Sequence, residues 1–579
     1  MEKSCLLIAI NAKYIHTNLA VRYLKAFCQP SYNNIRLQEF SINDHIDNIL
    51  KEIYISKCDI YAFSCYIWNI DMILKLCSSL RKINPKAILV LGGPEVSFDS
   101  EELMKKHDSI DYIITGEGEE TLLELLEHLS EDKSDINSIA GLTYRASEKI
   151  ICNEERRLLK NLDVIPFPYD DLLQLNTKII YYETTRGCPF NCQYCLSSTM
   201  NGVRYFSMDR IKKELKLFID SGVKQVKLVD RTFNCKKSHS LEIIKYIISQ
   251  NGKTNFHFEI AADLLDEEMI SVLAQAPKDM FQYEIGVQST NPQALKEISR
   301  TMDLEKVKQN ALAIQSLHNS HIHLDLIAGL PFEDFVSFHK SFDEVHELMP
   351  DMLQLGFLKL LKGSGLRARA EEYELQYNEF NPYEVLCTRW ISYEELTKLK
   401  EIEHILELYY NSGRFKHSLT YIFKKNCSSY FNFYQSFSDY WKSNGLFSAS
   451  QSTKELYNIL CNFVELQGFM SLELNELIKL DWLLFYGNGI MPNSIKRYPM
   501  GDVQSLLQYY IKKDSVVAEA LFENQDIISK SLKKGIFYEV FYTDVLESPD
   551  TRQELIIFFG KDSEGKLHYF PKLLYEIID

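Results

Sequence analysis

Residues 185–195 read Thr-Arg-Gly-Cys-Pro-Phe-Asn-Cys-Gln-Tyr-Cys, which places Cys188, Cys192 and Cys195 at the spacing Cys-x3-Cys-x2-Cys. Three thiolates on one short loop can each bind one iron of a [4Fe–4S] cubane. The fourth iron is then open to the amino and carboxylate groups of a small molecule. The alternative is structural zinc, which usually takes four ligands in two spaced pairs, and no second pair lies nearby. We therefore predict that these three cysteines are the metal ligands and the catalytic centre.

The composition is that of a globular protein from a reducing compartment. The chain has 579 residues, of which 46% are hydrophobic and 25% charged, and its net charge is −16. That charge disfavours binding to nucleic acid, because phosphates require a basic surface. No apolar run reaches the roughly 18 residues of a membrane span, and Cys5–Ile10 is interpreted as a buried first strand rather than a signal peptide. We expect a cytoplasmic protein whose 13 cysteines form no disulfide framework.

Strand-like and helical patterns alternate over the first 130 residues, which predicts a parallel, doubly wound sheet. The strand-like runs are Cys5–Ile10, Ile60–Phe63, Ala87–Leu91 and Tyr112–Thr115. Ligands of such sheets lie at the carboxyl ends of the strands. The residues at those ends are Asn11, Ser64, Gly92–Glu95 and Gly116–Glu119.

The alternation resumes at about residue 178 and predicts a partial β/α barrel. The strand-like runs are Ile179–Thr184, Gln225–Val229, His257–Ala261, Gln282–Val287, His323–Ala328 and Met352–Lys359. The active site of such a barrel lies at the carboxyl ends of its strands. The three cysteines follow the first of these strands, where catalysis is expected.

The whole chain is therefore of the α/β class, with four predicted segments. Residues 1–135 form the doubly wound (Rossmann-like) domain, 136–175 a linker, 176–369 the barrel, and 370–579 a mainly helical domain. A short hairpin, Gly141–Tyr144 and Lys149–Asn153, is predicted inside the linker. Helical periodicity continues through about residue 530, and a few short strands are expected after it.

The cysteine spacing, the aromatic Tyr194 before the last cysteine and the barrel context resemble the radical S-adenosylmethionine (SAM) superfamily. The resemblance covers roughly residues 178–365 and implies that Tyr194 belongs to the SAM site. It also implies that one electron from the cluster breaks a carbon–sulfur bond of SAM. The products are methionine and a 5′-deoxyadenosyl radical.

The same resemblance implies SAM contacts at later strand ends. Asp230 stands where a polar group meets the methionine amino group, although many members have Gly-Gly-Glu in place of Val229–Phe233. The segment Tyr283–Ser289 resembles the fourth strand, which faces the ribose and carboxylate. A turn after the fifth strand is implied to lie along adenine. The implied contacts are Asp230, Glu284, Gln288, Ser289, Gly329, Leu330 and Pro331.

The N-terminal domain resembles the cobalamin-binding domain of one large subgroup of that superfamily, at Leu91–Glu95 and Gly116–Thr121. Glycines let the backbone approach a bulky flat ligand, and amides at a helix start can meet the phosphate of the corrinoid tail. Many members have histidine where Glu95 stands. The implied contacts are Ser64, Gly92, Gly93, Pro94, Glu95, Gly116, Glu117, Gly118 and Thr121. The alternative is a domain that binds nothing or another nucleotide, but no Gly-x-Gly-x-x-Gly follows the first strand.

His16 stands near the position of the cobalt-ligating histidine of methionine-synthase-like domains, which carry Asp-x-His-x-x-Gly. The aspartate and the glycine of that motif are absent, so no acidic partner orients His16 as a ligand. We therefore predict base-off cobalamin without a histidine ligand.

Together, the resemblances imply a cobalamin-dependent radical SAM enzyme, and methylation of an unactivated carbon is the favoured hypothesis. A non-methylating rearrangement or cyclisation and a non-enzymatic cobalamin or redox sensor remain alternatives. The implied partners are a small-molecule, lipid or peptide substrate and an electron donor such as flavodoxin or ferredoxin. The C-terminal region resembles an uncharacterised helical extension on one branch of these proteins.

Overall fold

The computed structural model of the chain describes residues 2–131, 135–147, 149–199, 202–497, 521, 536–561 and 566–573. Two compact units make up the chain, Met1–Leu396 and Thr397–Asp579. Residues 132–134, near the end of the predicted N-terminal domain, lie outside the described residues, as does the predicted helical periodicity from 498 to 530 apart from Leu521. In the described ranges, no helix combines the length and the apolar character that a membrane crossing requires.

A seven-stranded sheet forms the core of the N-terminal region. Its strands are β1 (Cys5–Asn11), β2 (Ile35–Ser41), β3 (Ile60–Ser64), β4 (Ile88–Gly92), β5 (Tyr112–Ile114), β6 (Leu142–Ala146) and β7 (Lys149–Cys152). The helices between them are α1 (Leu19–Cys28), α2 (Ile46–Ile55), α3 (Ile70–Ile83), α4 (Ser100–Lys106) and α5 (Glu119–Glu131). The spatial order is β2-β1-β3-β4-β5-β6-β7, with β1 to β5 parallel and β6 and β7 antiparallel. The predicted doubly wound sheet is thus confirmed.

Burial explains which strands of this sheet the sequence reveals. β1 is buried at every position, as expected for a parallel strand with helices on both faces. β2 was not predicted because it is an edge strand whose apolar run is broken by Arg36, Gln38 and Glu39. The predicted hairpin is β6–β7, which pairs with β5 at the other edge of the sheet.

The next eight strands include the barrel. They are β8 (Ile179–Tyr182), β9 (Thr185–Cys188), β10 (Gly202–Tyr205), β11 (Gln225–Leu228), β12 (Asn255–Glu259), β13 (Phe281–Gln288), β14 (Ser320–Ala328) and β15 (Met352–Phe357). The connecting helices are α6 (Met208–Asp220), α7 (Lys237–Ser249), α8 (Glu267–Leu273), α9 (Pro292–Glu297), α10 (Leu304–Gln315) and α11 (Phe335–His346). Six strands pair in parallel in the order β15-β14-β13-β12-β11-β8, which confirms the predicted partial β/α barrel. β9 and β10 form a separate hairpin that was not predicted.

Short elements follow the barrel, and helices then dominate. The elements up to the C-terminal region are α12 (Gly365–Ala368), β16 (Gln376–Tyr377) and β17 (Val385–Cys387). The helices after them are α13 (Tyr393–Leu406), α14 (Lys416–Asn426), α15 (Tyr430–Ser443), α16 (Thr453–Leu466) and α17 (Leu472–Tyr486). The antiparallel strands β18 (Phe537–Asp544), β19 (Ser548–Lys561) and β20 (Leu567–Leu573) come last. β19 has 14 residues and is longer than the short strands expected.

The second unit has an aromatic core. Phe431, Tyr434, Phe437 and Trp441 on α15 are buried, which agrees with the low glycine and high aromatic content of this region. Short 3-10 turns lie at Ile136–Ser138, Leu162–Val164, Leu172–Gln174, Leu196–Thr199, Ala262–Leu264 and Leu446–Ser448, and a π-helical turn lies at Glu407–Asn411.

Candidate active site at the mouth of the barrel

The first cysteine of the motif lies on the β9–β10 hairpin, whose strands are joined by residues 189–201, directly after the first barrel strand. β9 carries Cys188 and pairs antiparallel with β10, so that Gly187 lies opposite Val203. Gly187 has a φ of +97°, and a Cβ on it would lie 2.1 Å from the carbonyl oxygen of Gly202. Only glycine fits such a close backbone approach. The hairpin therefore fixes the backbone position of Cys188 and the direction in which its side chain starts.

Backbone hydrogen bonds hold the loop with the other two cysteines against the barrel. The N–H of Gln193 donates to the carbonyl of Ile298 at 2.9 Å, and the N–H of Leu366 donates to the carbonyl of Gln193 at 2.9 Å. A Cβ on Gly365 would lie 2.0 Å from Oε1 of Gln193. The start of α12 thus packs directly on the loop and limits its movement.

One open cavity brings the three cysteines together at the carboxyl ends of the barrel strands. It encloses about 800 Å³ of empty space, part of which is open to solvent. The predicted residues that line it are Cys188, Cys192, Cys195, Tyr194, Glu284 and Gln288. The donor set is therefore three thiols around one cavity, which fits a cluster with one open iron. In the described part of the chain, no three His, Cys, Asp or Glu side chains form a group suited to a single metal ion.

Arg300 lies beside the second cysteine and was not predicted. Its Nη1 lies 3.7 Å from Sγ of Cys192 and donates to the hydroxyl of Tyr194 at 3.3 Å. A second N–H group donates to the carbonyl of Gly286. The Nε of Arg300 is buried with no hydrogen-bond partner. A guanidinium in this place offers a positive charge and fixed donors to a ligand carboxylate or to the thiolates.

Three carboxyl groups on neighbouring strands also line this cavity, namely Glu259, Glu284 and Asp325. Glu284 accepts a hydrogen bond from Nζ of Lys227 at 2.9 Å and lies 3.1 Å from Nε2 of His257. Burial raises the pKa of Glu284, but these two partners outweigh it and bring the pKa to about 2. Burial, and then the charge of Glu284, raise the pKa of Glu259 to about 7 and that of Asp325 to about 8. Near neutral pH, Glu284 is thus an anion, while the other two can be hydrogen-bond donors.

A pattern in the sequence could have predicted that these side chains line the site. Polar residues alternate along three predicted strands, at His257 and Glu259, at Gln282 and Glu284, and at His323 and Asp325. Strands of a parallel sheet that is covered on both faces are usually apolar throughout. Polar residues at every second position therefore indicate one polar barrel face. No comparable signal marks Arg300, which lies after α9.

Asp230 is not among the residues that line the cavity. It is buried, and its carboxylate accepts hydrogen bonds from the N–H of Thr184 at 3.1 Å and from the hydroxyls of Thr184 and Thr185 at 2.7 and 2.6 Å. Asp230 thereby ties the end of β11 to the segment that leads into the cysteine motif. Its contact with the amino group of SAM stays a prediction.

The other predicted SAM contacts lie behind the cavity wall. Ser289 is fully buried and donates to Oε1 of Glu333 at 2.5 Å. The turn Gly329–Pro331 follows β14, with Gly329 at a φ of +89° and Leu330 fully buried. Contacts of these residues with SAM also stay predictions.

The first predicted cobalamin loop is shaped by contacts within its own sheet. Gly93 has a φ of +114°, and a Cβ on it would lie 2.5 Å from the carbonyl oxygen of Cys65. The carbonyl of Gly92 accepts a hydrogen bond from the N–H of Cys65 at 2.7 Å. The carbonyl of Ser64 accepts one from Nδ2 of Asn69 at 3.0 Å. The glycine at 93 is therefore required by a neighbouring loop, while Pro94 is exposed.

Glu95 is buried in an ion pair with a segment that follows the barrel. Nζ of Lys362 lies 3.2 Å from Oε1 of Glu95 and 3.0 Å from Oδ2 of Asp99. The hydroxyl of Tyr383 donates to Glu95 as well. The side chain that stands at the histidine position of related domains thus binds residues 362 and 383 of this chain.

The second predicted cobalamin loop has one open position and several bonded ones. Gly116 has a φ of +74° with nothing within 4 Å of an ideal Cβ, whereas a Cβ on Gly118 would lie 3.3 Å from Leu24. Thr121 is fully buried and donates to the carbonyl of Ala140 at 3.0 Å. Glu117 binds arginines of the β9–β10 hairpin.

Aromatic side chains follow β3 at the carboxyl edge of the first sheet. Trp68 follows β3, is 41% exposed, and stacks on Tyr66 with ring centroids 4.4 Å apart. Its Nε1 donates to the carbonyl of Ile10 at the end of β1. With the open space at Gly116, these residues fit a bulky flat group. The partly buried His16 bridges to Ile179, and its closeness to cobalt stays a prediction.

Comparisons with protein families agree with this arrangement. The family models of the B12 binding domain, the Radical SAM superfamily and a protein of unknown function (DUF4080) match residues 6–126, 182–345 and 371–559, respectively. The third match corresponds to the expected uncharacterised C-terminal domain.

Individual relatives are similar to part of the chain. An uncharacterized methyltransferase, PH0819, of Pyrococcus horikoshii is 26% identical over 335 residues, which cover 56% of this chain and 70% of that protein. The cobalamin-dependent radical SAM methyltransferase TokK of Streptomyces tokunonensis is 25% identical over 50% of this chain and 45% of its own length. The chain therefore spans less than half of TokK.

A solved structure shares the fold over most of the chain. The cobalamin-dependent S-adenosylmethionine radical enzyme OxsB, solved with aqua-cobalamin and S-adenosylmethionine bound, aligns with a TM-score of 0.58. The alignment covers 92% of this chain and 82% of that chain at 16% identity, so the likeness is one of fold. With the cysteine motif at the barrel mouth and the three family matches, the chain is a radical SAM protein with an N-terminal B12-binding domain and a DUF4080 C-terminal domain.

Proposed function

We propose that this protein is a cobalamin-dependent radical SAM enzyme that methylates an unactivated carbon of its substrate. The observation that carries the proposal is the single cavity into which the three motif cysteines open, at the carboxyl ends of the barrel strands. This is where a β/α barrel does its chemistry. The similarity to PH0819 and TokK, both named as methyltransferases, supports the same reaction class.

Cys188, Cys192 and Cys195 would hold the cluster, and the carboxyl edge of the first sheet would hold cobalamin. When bound, the cluster supplies an electron that cleaves SAM to methionine and a 5′-deoxyadenosyl radical, and cobalamin supplies a carrier for the methyl group. The chain itself has to orient the ligands and exclude water.

The charges around the cavity suit SAM. The ligand carries a carboxylate, an ammonium and a sulfonium group. The cavity offers the guanidinium groups of Arg231 and Arg300 and the carboxyl groups of Glu259, Glu284 and Asp325. We assign the carboxylate oxygen that is not bound to iron to the arginines, because a guanidinium makes strong, charge-assisted hydrogen bonds to a carboxylate. Glu284, which stays ionised through Lys227 and His257, is placed to face the cationic part of the ligand.

The partners follow from this chemistry. A reductant such as flavodoxin or ferredoxin has to supply the electron, and the substrate is a small molecule, a lipid or a peptide. We place the reaction in the cytoplasm, since an open-iron cluster and free thiols, including all 13 cysteines, need reducing conditions.

The test uses the full chain reconstituted without oxygen and SAM labelled in its methyl group. With reductant, wild-type protein should form 5′-deoxyadenosine and S-adenosylhomocysteine. Cys192→Ala should abolish 5′-deoxyadenosine, because one cluster ligand is lost. Cys235→Ala is the matched control, since this thiol contacts Tyr205 and does not line the cavity.

Two results would count against the proposal. Equal 5′-deoxyadenosine formation by Cys192→Ala would mean that the motif does not hold the reacting cluster. Formation of 5′-deoxyadenosine without any S-adenosylhomocysteine or transfer of the label would favour the non-methylating rearrangement or cyclisation.

A further inference from the structure

A buried group of charged side chains joins the cysteine hairpin to the N-terminal sheet. We call it the Arg186 junction; it consists of Glu117, Glu119, Glu183, Arg186 and Arg204. Nη1 of Arg186 lies 3.2 Å from Glu117, Nη2 lies 2.6 Å from Glu119, and Nε lies 2.7 Å from Glu183. One guanidinium on β9 therefore binds three carboxylates, two of them from the loop and helix start after β5.

Arg204 adds a second connection from the other strand of the hairpin. Its Nη2 and Nη1 donate to Glu117 at 2.8 and 3.0 Å, and Nη1 also donates to the carbonyl of Leu159 at 2.7 Å. The N–H of Leu159 donates to Glu117 at 2.9 Å. Both strands of the hairpin are thus bound to the same carboxylate.

The contacts of the Arg186 junction are buried, so breaking them costs free energy. The side chains of Arg186, Glu117 and Glu119 are 13%, 10% and 6% exposed. Burial raises the pKa of Glu117, but hydrogen bonds and charges from the two arginines outweigh it and lower the pKa overall. Glu117 is therefore an anion at neutral pH. Removal of one partner leaves an uncompensated buried charge, which is strongly unfavourable.

The junction sits between the two places where the proposed cofactors bind. Arg186 is two residues from Cys188, and the intervening Gly187 is locked by its close approach to Gly202. Glu117 is next to Gly116, the open position of the second predicted cobalamin loop. A shift on either side of the junction is therefore transmitted to a cofactor over one or two residues.

We infer that Glu117 and Arg186 are positioning residues that set the separation between the cluster and the cobalamin edge. This inference rests on the proposed function, and it replaces a direct cobalamin contact by Glu117 with a contact to the barrel. The substrate carbon would have to lie within reach of both the 5′-deoxyadenosyl radical formed beside the cluster and the methyl group carried by cobalamin, and misplacement by about 1 Å can cost about 100-fold in rate. Loss of the junction should therefore damage methyl transfer more than SAM cleavage, which needs only the cluster side.

The first test needs no cofactor and compares hydrogen exchange of the full chain in three forms. Glu117→Gln keeps the shape of the side chain and removes its charge. Asp111→Asn is the matched control, since Asp111 binds Arg81 at 2.6 Å within the first sheet. In Glu117→Gln, amides of 185–188, 202–205 and 116–121 should exchange at least about tenfold faster. Asp111→Asn should leave these segments unchanged.

The second test uses the protein loaded with iron, sulfide and cobalamin. Wild type and Asp111→Asn should show faster spin relaxation of cob(II)alamin when the cluster is reduced. Glu117→Gln should bind the same iron and cobalt but lose this enhancement, and its ratio of methyl transfer to 5′-deoxyadenosine should fall. Arg204→Lys keeps the positive charge but loses the two hydrogen bonds from the guanidinium to Glu117, so it should show the same changes more weakly. This variant replaces Glu117→Gln in the test if Glu117→Gln folds poorly.

The outcomes separate the two proposals. Unchanged hydrogen exchange of all three segments in both Glu117→Gln and Arg204→Lys would overturn the junction whether or not cobalamin binds. Faster exchange with full spin coupling and an unchanged product ratio would overturn its role in positioning. A wild type that binds no cobalt would instead remove the cobalamin half of the proposed function, while the exchange data would still decide whether the junction joins the two segments.

Discussion

The hairpin that carries Cys188 offers a paired test of how backbone geometry supports the cluster. Gly187 lies on β9 and Gly202 on β10, and their φ values are +97° and +81°. Alanine at either position has to adopt a backbone conformation that costs about 1–3 kcal/mol. A Cβ at Gly187 would also lie 2.1 Å from a carbonyl oxygen, whereas one at Gly202 meets nothing within 4 Å.

The difference between the two variants isolates the clash. The strands must separate by about 1 Å to relieve it, and overpacking of this kind costs roughly 1–3 kcal/mol more. The extra cost falls on the hairpin that presents Cys188. Since about 1.4 kcal/mol is tenfold in an equilibrium constant, Gly187→Ala should lose cluster iron to a chelator about tenfold or more faster than Gly202→Ala.

The assay is anaerobic iron release from reconstituted protein, followed by absorption of the iron–chelator complex. Gly202→Ala should lose iron faster than wild type because of its strained backbone alone, and Gly187→Ala should lose it faster again because of the added clash. Equal release rates for the two alanine variants would refute the reasoning, because they would show that the hairpin contact does not constrain the cluster.

Three further predictions concern single side chains. Burial raises the pKa of Asp325 in the folded protein to about 8, so the stability that the protonated carboxyl contributes is full at low pH and is lost as the pH rises through about 8. In thermal unfolding, Asp325→Asn should therefore become more stable relative to wild type between about pH 4 and pH 8. A stability difference that does not change with pH would contradict this. Arg300→Met removes a cation 3.7 Å from Cys192. In a redox titration, this should lower the reduction potential of the cluster by on the order of 50 mV or more. An unchanged potential would show that this charge does not act on the cluster. His16→Ala should leave the cobalt absorption spectrum unchanged, and loss of a nitrogen-ligand signature would instead make His16 a cobalt ligand.

Local patterns allowed much of the fold to be predicted. β1 is a continuous apolar run because both of its faces are covered, and the barrel strands are visible as short apolar or alternating runs between helical segments. The cysteine motif is visible because its three ligands lie within one loop. Two more residues of the cavity lining could also have been found, since Glu259 and Asp325 follow an alternating polar pattern on their strands.

Contacts between distant residues could not be predicted in this way. Arg186 and Glu117 are 69 positions apart, and Lys362 and Glu95 are 267 apart. Nothing in the local sequence says that these acidic side chains bind cations of the barrel region rather than a ligand. Glycines carry the same ambiguity, since Gly93 has a close approach to the carbonyl of Cys65 that would require glycine with or without a cofactor.

The most direct test of the central claim is metal analysis after anaerobic reconstitution with iron, sulfide and hydroxocobalamin. The account predicts about four irons and about one cobalt per chain, with the iron lost in Cys192→Ala. Four irons without cobalt would keep the radical SAM core and contradict the cobalamin mechanism. Absence of a four-iron cluster in the wild type would contradict the account as a whole.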